Sequence, residues 1–253
     1  MIRLICAACL SIVLLCGTAQ RRPAFASPTA DAPLVVNTEK KEIQVFGRIY
    51  PARFNNMQGE QAHYHLMVWH GGSSPGALIE TPADDLDFHA ALVQIGAKPG
   101  NNLTMASWTE RNNEHSHAPR EKATGSALDV RLTWNGQVAS IPIRDLFHAV
   151  NTSFLSPLFP REHSEPQSQA LDPDPGPREV WRFGGNRDRL FNQVPFVQRP
   201  GCLVCLYSCP SGKISNAALS IHDYVTVPDR YVANRAILPD DGTAVIVTFH
   251  LHE

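Results

Sequence analysis

Beyond Cys16 the chain holds three cysteines, Cys202, Cys205 and Cys209, all within eight residues of one another. Disulfide frameworks need even numbers of cysteines in an oxidising compartment, so this trio cannot staple a fold: at most one bridge forms and one thiol is left over. A chain of 253 residues with 43% apolar content must therefore stand on a hydrophobic core, and it is long enough to build one. Charged residues at 18% and a formal net charge of -2 exclude wholesale disorder. They also offer no basic field to hold nucleic acid.

The other cysteines, Cys6, Cys9 and Cys16, fall in a different kind of segment. Met1-Ile2-Arg3 followed by the apolar run Leu4–Leu15 has the basic tip and short greasy stretch of a secretory signal peptide. The run is short for a membrane span. Cleavage is expected after Ala26, with Gly17-Thr18-Ala19 as the alternative site, and Arg21-Arg22 lies after the run rather than before it, unlike a twin-arginine signal. Loss of residues 1–26 removes three arginines and no acid, taking the formal charge to -5. The expected location is periplasmic or extracytoplasmic, at the membrane if the signal stays uncleaved.

Residues 27–38 read as a loose leader, and 39–253 as one domain. Ile43, Val45 and Ile49 alternate as a strand ended by Pro51, and a second strand is expected over 62–70. Thr81 as N-cap, Pro82 behind it and Gly96 as stop frame an amphipathic helix. The polar stretch 108–126 reads as a loop. Leu128, Val130, Leu132 and Trp134 alternate up to Asn135-Gly136, which predicts a two-residue hairpin into 137–143. A short helix is expected over 144–150, a Pro-rich insertion over 160–178, and a final strand with Val245, Val247, Phe249 and Leu251 inside. Together these predict an α+β fold: a β-rich single domain with one clear amphipathic helix, a hairpin and a C-terminal strand.

The chemistry lies in Gly201-Cys202-Leu203-Val204-Cys205-Leu206-Tyr207-Ser208-Cys209-Pro210. On a helix, offsets of zero, three and seven fall on one stripe; in a loop the same spacing wraps an ion. Three thiolates are soft ligands for an iron–sulfur cluster, zinc or cuprous copper, with room for a fourth ligand from elsewhere, for which His65 and His222 are the natural candidates. Two other readings stand beside this one. Cys202 and Cys205 could cycle as a redox dithiol, or a bridge could simply rigidify a loop of a β-rich binding module.

This cysteine run continues as Ser211-Gly212-Lys213-Ile214-Ser215-Asn216. With Arg182-Phe183-Gly184-Gly185-Asn186-Arg187, Thr81–Leu92 and Gly96–Leu103, it resembles the YdjY family of small bacterial proteins over about residues 40 to 252. Proteins of that family are labelled ferredoxin-type iron–sulfur proteins. The resemblance implies an iron–sulfur site at Cys202, Cys205 and Cys209. The cysteine cluster in an exported chain leads to the expectation of an electron-transfer protein that holds iron–sulfur or another soft metal, need not be an enzyme, and serves a redox or metal-exchange partner, which can be a membrane protein.

Other candidates are weaker. The pairs His63/His65, His115/His117 and His250/His252 have chelating spacing on a strand, but 11 histidines give such pairs by chance. Asp84, Asp85 and Asp87 read as complements to a helix dipole, and His89 as a packing residue. Ser211-Gly212-Lys213 lacks the upstream glycine of a P-loop. Arg182, Arg187 and Arg189 around Gly184-Gly185-Asn186 read as a solvated turn or an anion nest.

Overall fold

The computed structural model describes residues 26–149, 181–184, 199–226 and 231–252, except positions 60, 75, 136, 138 and 139. The apolar N-terminal run and the Pro-rich stretch 160–178 lie outside the described residues.

Twelve strands form the frame of the described structure: β1 (Leu34–Asn37), β2 (Glu42–Ile49), β3 (His65–Trp69), β4 (Ile79–Thr81), β5 (Ala127–Trp134), β6 (Ile141–Pro142), β7 (Phe147–Ala149), β8 (Trp181–Phe183), β9 (Cys202–Cys205), β10 (Ile214–Asn216), β11 (Tyr231–Ala233) and β12 (Thr243–Leu251). Four short helices join them: α1 (Pro51–Asn55), α2 (Asp85–Gln94), α3 (Ala106–Thr109) and α4 (Ile221–Thr226). Eight strands close on themselves in the order β2-β12-β5-β8-β10-β9-β3-β4 and back to β2. Closure removes the open edges that would otherwise invite pairing with another chain.

The long strands obey the alternation in their sequences. Ile43, Val45 and Ile49 of β2, Leu128, Val130 and Leu132 of β5, and Val245, Val247, Phe249 and Leu251 of β12 are buried, with more exposed residues between them. β12 runs antiparallel between β2 and β5 along nearly its whole length. By contrast β9 and β10 are buried at every position, as strands covered on both faces are.

The fold is β-rich as expected, and the closed barrel is what the expectation left out. Local details also differ. The leader is not loose throughout, because Leu34–Asn37 pair with β2. Thr81 belongs to β4, and α2 begins one turn later, where the carboxylate of Asp84 accepts a hydrogen bond from the Leu86 amide at 2.7 Å. The chain passes 108–126 through the end of α3 and a 3-10 turn, and 143–149 through a 3-10 turn and β7 rather than a helix. The β5–β6 hairpin forms with Ile141 opposite Leu132, two residues beyond the register of a two-residue turn.

Candidate metal centre

Cys202 and Cys205 lie on β9 and Cys209 in the loop that follows, so the helical arrangement of the three sulfurs does not occur. Residues three apart on an unbroken strand point to opposite faces. The β3–β9 register removes that obstacle. Val68 lies opposite Cys202, Met67 opposite Val204 and His65 opposite Cys205, so Leu203 is extra on one strand and Leu66 on the other. Bulges of this kind re-aim side chains, and these two bring His65 and both sulfurs to one point.

His65 Nδ1 lies 3.6 Å from the Cys202 sulfur and 3.5 Å from that of Cys205. The three donor atoms all lie within 4.8 Å of one another. A tetrahedral zinc with Zn–S near 2.3 Å and Zn–N near 2.05 Å would set N···S edges of about 3.5 Å. The spacing therefore suits donors that share a single ion. In a four-iron cubane each thiolate bonds a different iron, which holds the sulfurs farther apart.

Cys209 lies beside this group. Its thiol hydrogen-bonds with those of Cys202 and Cys205, and the amide of Ser211 donates to its sulfur at 3.3 Å. The hydroxyl of Tyr64 is buried and faces this sulfur. Ser74 Oγ stands 3.0 Å from the Cys202 sulfur while donating to the Pro200 carbonyl at 2.7 Å. All three cysteines are buried, and none is in a disulfide.

The electrostatics favour neutral imidazole and an unevenly shared proton inventory. Burial pushes His65 down to about 4, against a smaller upward pull from Cys209. Its other nitrogen, Nε2, lies 3.3 Å from Gln61 Oε1, an acceptor that fixes the proton there and leaves the Nδ1 lone pair facing the sulfurs. Burial and hydrogen bonds from its two neighbours raise Cys205 well above a free thiol. Cys202 is also raised, since its hydrogen bond with Cys205, which lowers it, is outweighed by Cys209 and burial. Cys209 goes the other way: burial opposes ionisation, but hydrogen bonds from Cys202 and Cys205, the His65 ring and the Tyr64 hydroxyl outweigh it. One proton thus leaves the cluster easily and the others with difficulty, and a cation there would supply the charge needed for all three to ionise.

The walls are close-fitting. Tyr64 stacks on Tyr207 with centroids 5.5 Å apart and meets His65 edge-on at 4.9 Å. A Cβ on Gly212 would lie 3.0 Å from the Cys205 sulfur and 2.9 Å from the Ile214 carbonyl. Only a glycine lets the backbone approach the sulfur this closely.

Of the sequence candidates, Cys202, Cys205 and His65 form the group of donors, and Cys209 stands beside it without being part of it. His222, half-buried on α4, is not in the group of donors, and His63 packs against Phe54 with centroids 5.0 Å apart. His115, His117 and His252 are exposed; so is His250, opposite Glu42 and Asp129 on the outer face of the barrel. His89 packs edge-on against Phe183, and Arg182 donates to the Gly125 carbonyl at 3.0 Å; Arg187 and Arg189 lie outside the described residues. Ser74, Tyr64 and Gln61 carry no motif and could not have been picked from the sequence.

The comparisons agree with the sequence resemblance. The model of the YdjY domain family matches residues 34–250. The protein described as "Uncharacterized protein YdjY" of Escherichia coli (strain K12) is 29% identical over 194 residues, covering 75% of this chain and 68% of its own length. No solved structure matches.

Proposed function

The chain belongs to the YdjY family, and from that footing we propose that it is an exported, non-enzymatic metal protein in which Cys202, Cys205, Cys209 and His65 hold one soft ion for exchange of electrons or metal with a partner. The observation that carries this reading is the meeting of His65 Nδ1 with two sulfurs at 3.6 and 3.5 Å inside a buried pocket. Four soft donors with none of them exposed make a closed site, the arrangement of ions that are held rather than of ions that activate a substrate at an open position. Bound iron or copper would supply a one-electron couple, and zinc a fixed charge and crosslink.

Thiol-disulfide cycling is less well supported. Cys202 and Cys205 share one strand, and residues three apart on an extended strand are up to about 10 Å apart, beyond the roughly 4.4–6.8 Å between the Cα atoms of a disulfide, so a bridge would have to run to Cys209.

The test is metal and sulfide analysis of the full chain purified anaerobically from the extracytoplasmic fraction. One zinc, iron or copper per chain without acid-labile sulfide is the expected result. Several irons with stoichiometric sulfide would favour a cluster, and no metal after reconstitution with any of the three would overturn the reading. Mass measurement of the exported protein tests removal of residues 1–26.

A further inference from the structure

Asp85 is the most deeply buried carboxylate described, and the metal site does not use it directly. It is 0% exposed, at the first position of α2, with the Arg199 guanidinium 2.8 Å from one oxygen and the Lys213 ammonium 2.8 Å from the other. Both cations are themselves buried or nearly so. Arg199 stands three residues before Cys202 and Lys213 four residues after Cys209. The segment between them carries every cysteine of the site.

We infer that Asp85 is the positioning residue of this centre: by holding Arg199 and Lys213 at once, it staples the two ends of the cysteine segment to α2 and presets the sulfurs before a metal arrives. The inference rests on the metal reading for its purpose, though not for its geometry. Neighbouring contacts point the same way. Asp84 also pairs with Arg199, whose guanidinium lies 4.2 Å above the ring of Trp69, and the Trp69 amide donates to the Gly201 carbonyl at 2.8 Å. At the other end the Lys213 amide donates to the Cys202 carbonyl at 3.3 Å, so the neck of the segment is closed by main chain as well as charge. A metal arriving at a preset site has little chain left to order, which raises affinity.

A helix-dipole role alone would need neither cation, and Asp84 already caps α2 through the Leu86 amide. What the capping role leaves unexplained is a second carboxylate placed fully out of water. A buried carboxylate is tolerated only when its charge is matched, and here the match comes from the two ends of one loop.

The experiment measures two properties of Asp85→Asn, Asp85→Glu and the wild type: the rate at which the metal-free, reduced protein reacts with a thiol-specific disulfide reagent, and zinc affinity against a chelating indicator. Asp85→Asn should react about ten times faster and bind zinc about 10–100 times more weakly while keeping its circular dichroism. Asp85→Glu should recover most of both. Should Asp85→Asn fail to fold, the double variant Asp85→Leu/Lys213→Leu leaves no unpaired lysine and keeps Arg199 on Asp84; it should show the same loosened thiols. A folded variant of either kind with wild-type thiol rates and wild-type zinc affinity overturns the inference. Wild-type protein that binds no zinc counts against the zinc form of the metal reading, and the thiol rates still decide the role of Asp85.

Discussion

His65 and Cys205 lie directly opposite each other in the β3–β9 pairing, with Nδ1 3.5 Å from the sulfur and the far nitrogen of the ring against Gln61. The imidazole is therefore oriented from behind as metal-ligating histidines usually are. His65→Ala should lower metal affinity by more than a hundredfold without removing a thiol, and Gln61→Ala by about 10–100-fold. Chelator competition checks both. Unchanged affinity in His65→Ala would remove histidine from the donor set.

The same burial makes a pH prediction for the reduced, metal-free protein. His65 in the fold takes its proton only near 4, whereas in the unfolded chain it does so near 6.5. Between those values the unfolded state binds more protons, so stability falls as pH falls; above 6.5 the residue contributes nothing, and below 4 the loss is complete. At pH 5 the penalty is about 2 kcal/mol relative to pH 7. Urea unfolding at the two pH values should therefore show a larger drop for the wild type than for His65→Gln, and equal drops would refute the assignment.

Gly212→Ala tests the floor of the site. The new methyl would meet the Cys205 sulfur at 3.0 Å, the Ile214 carbonyl at 2.9 Å and the Ser215 hydroxyl at 3.2 Å, none of them a flexible chain end. Overpacking of this kind costs about 1–3 kcal/mol. Metal affinity should fall at least about tenfold, as expected when a supporting contact is disturbed. Ser211→Ala is the control: residue 211 reaches Cys209 through its main-chain amide, so metal binding should be kept.

What the sequence disclosed and what it hid follow from the range of the interactions. The alternation of β2, β5 and β12 was readable because each strand buries one face, a local pattern of period two. The cysteine trio stood out because its spacing is local too, and two of its members fall in the group of donors. The bulges at Leu66 and Leu203 were not, since they exist only in the pairing of strands more than 130 residues apart. The ion pairs of Asp85 were hidden for the same reason. Its neighbours in sequence are the caps of a helix, and its partners lie over 110 residues away. Basic residues bracketing the cysteines were the one available hint, and they do not say which acid they meet.

Barrel closure itself rests on a seam that can be tested. The outer edge of β2 is divided: β1 pairs with its first half through Val45, and β4 pairs with Arg48 and Ile49. Gly47 sits at the handover. A Cβ there would lie 2.7 Å from Ile79 Cγ2 and 3.0 Å from the Glu80 carbonyl, so a side chain would push β4 off the barrel. Because β4 leads into α2 and its Asp85, the seam also holds the staple of the metal site in place. Gly47→Ala should cost about 1–3 kcal/mol, or about 2–4 °C of melting temperature per kcal/mol for a chain of this size. Ile79→Ala removes the atom in the way, so the double variant should be less destabilised than the sum of the two single changes. Strict additivity in thermal unfolding would mean that Gly47 is not what lets β4 approach.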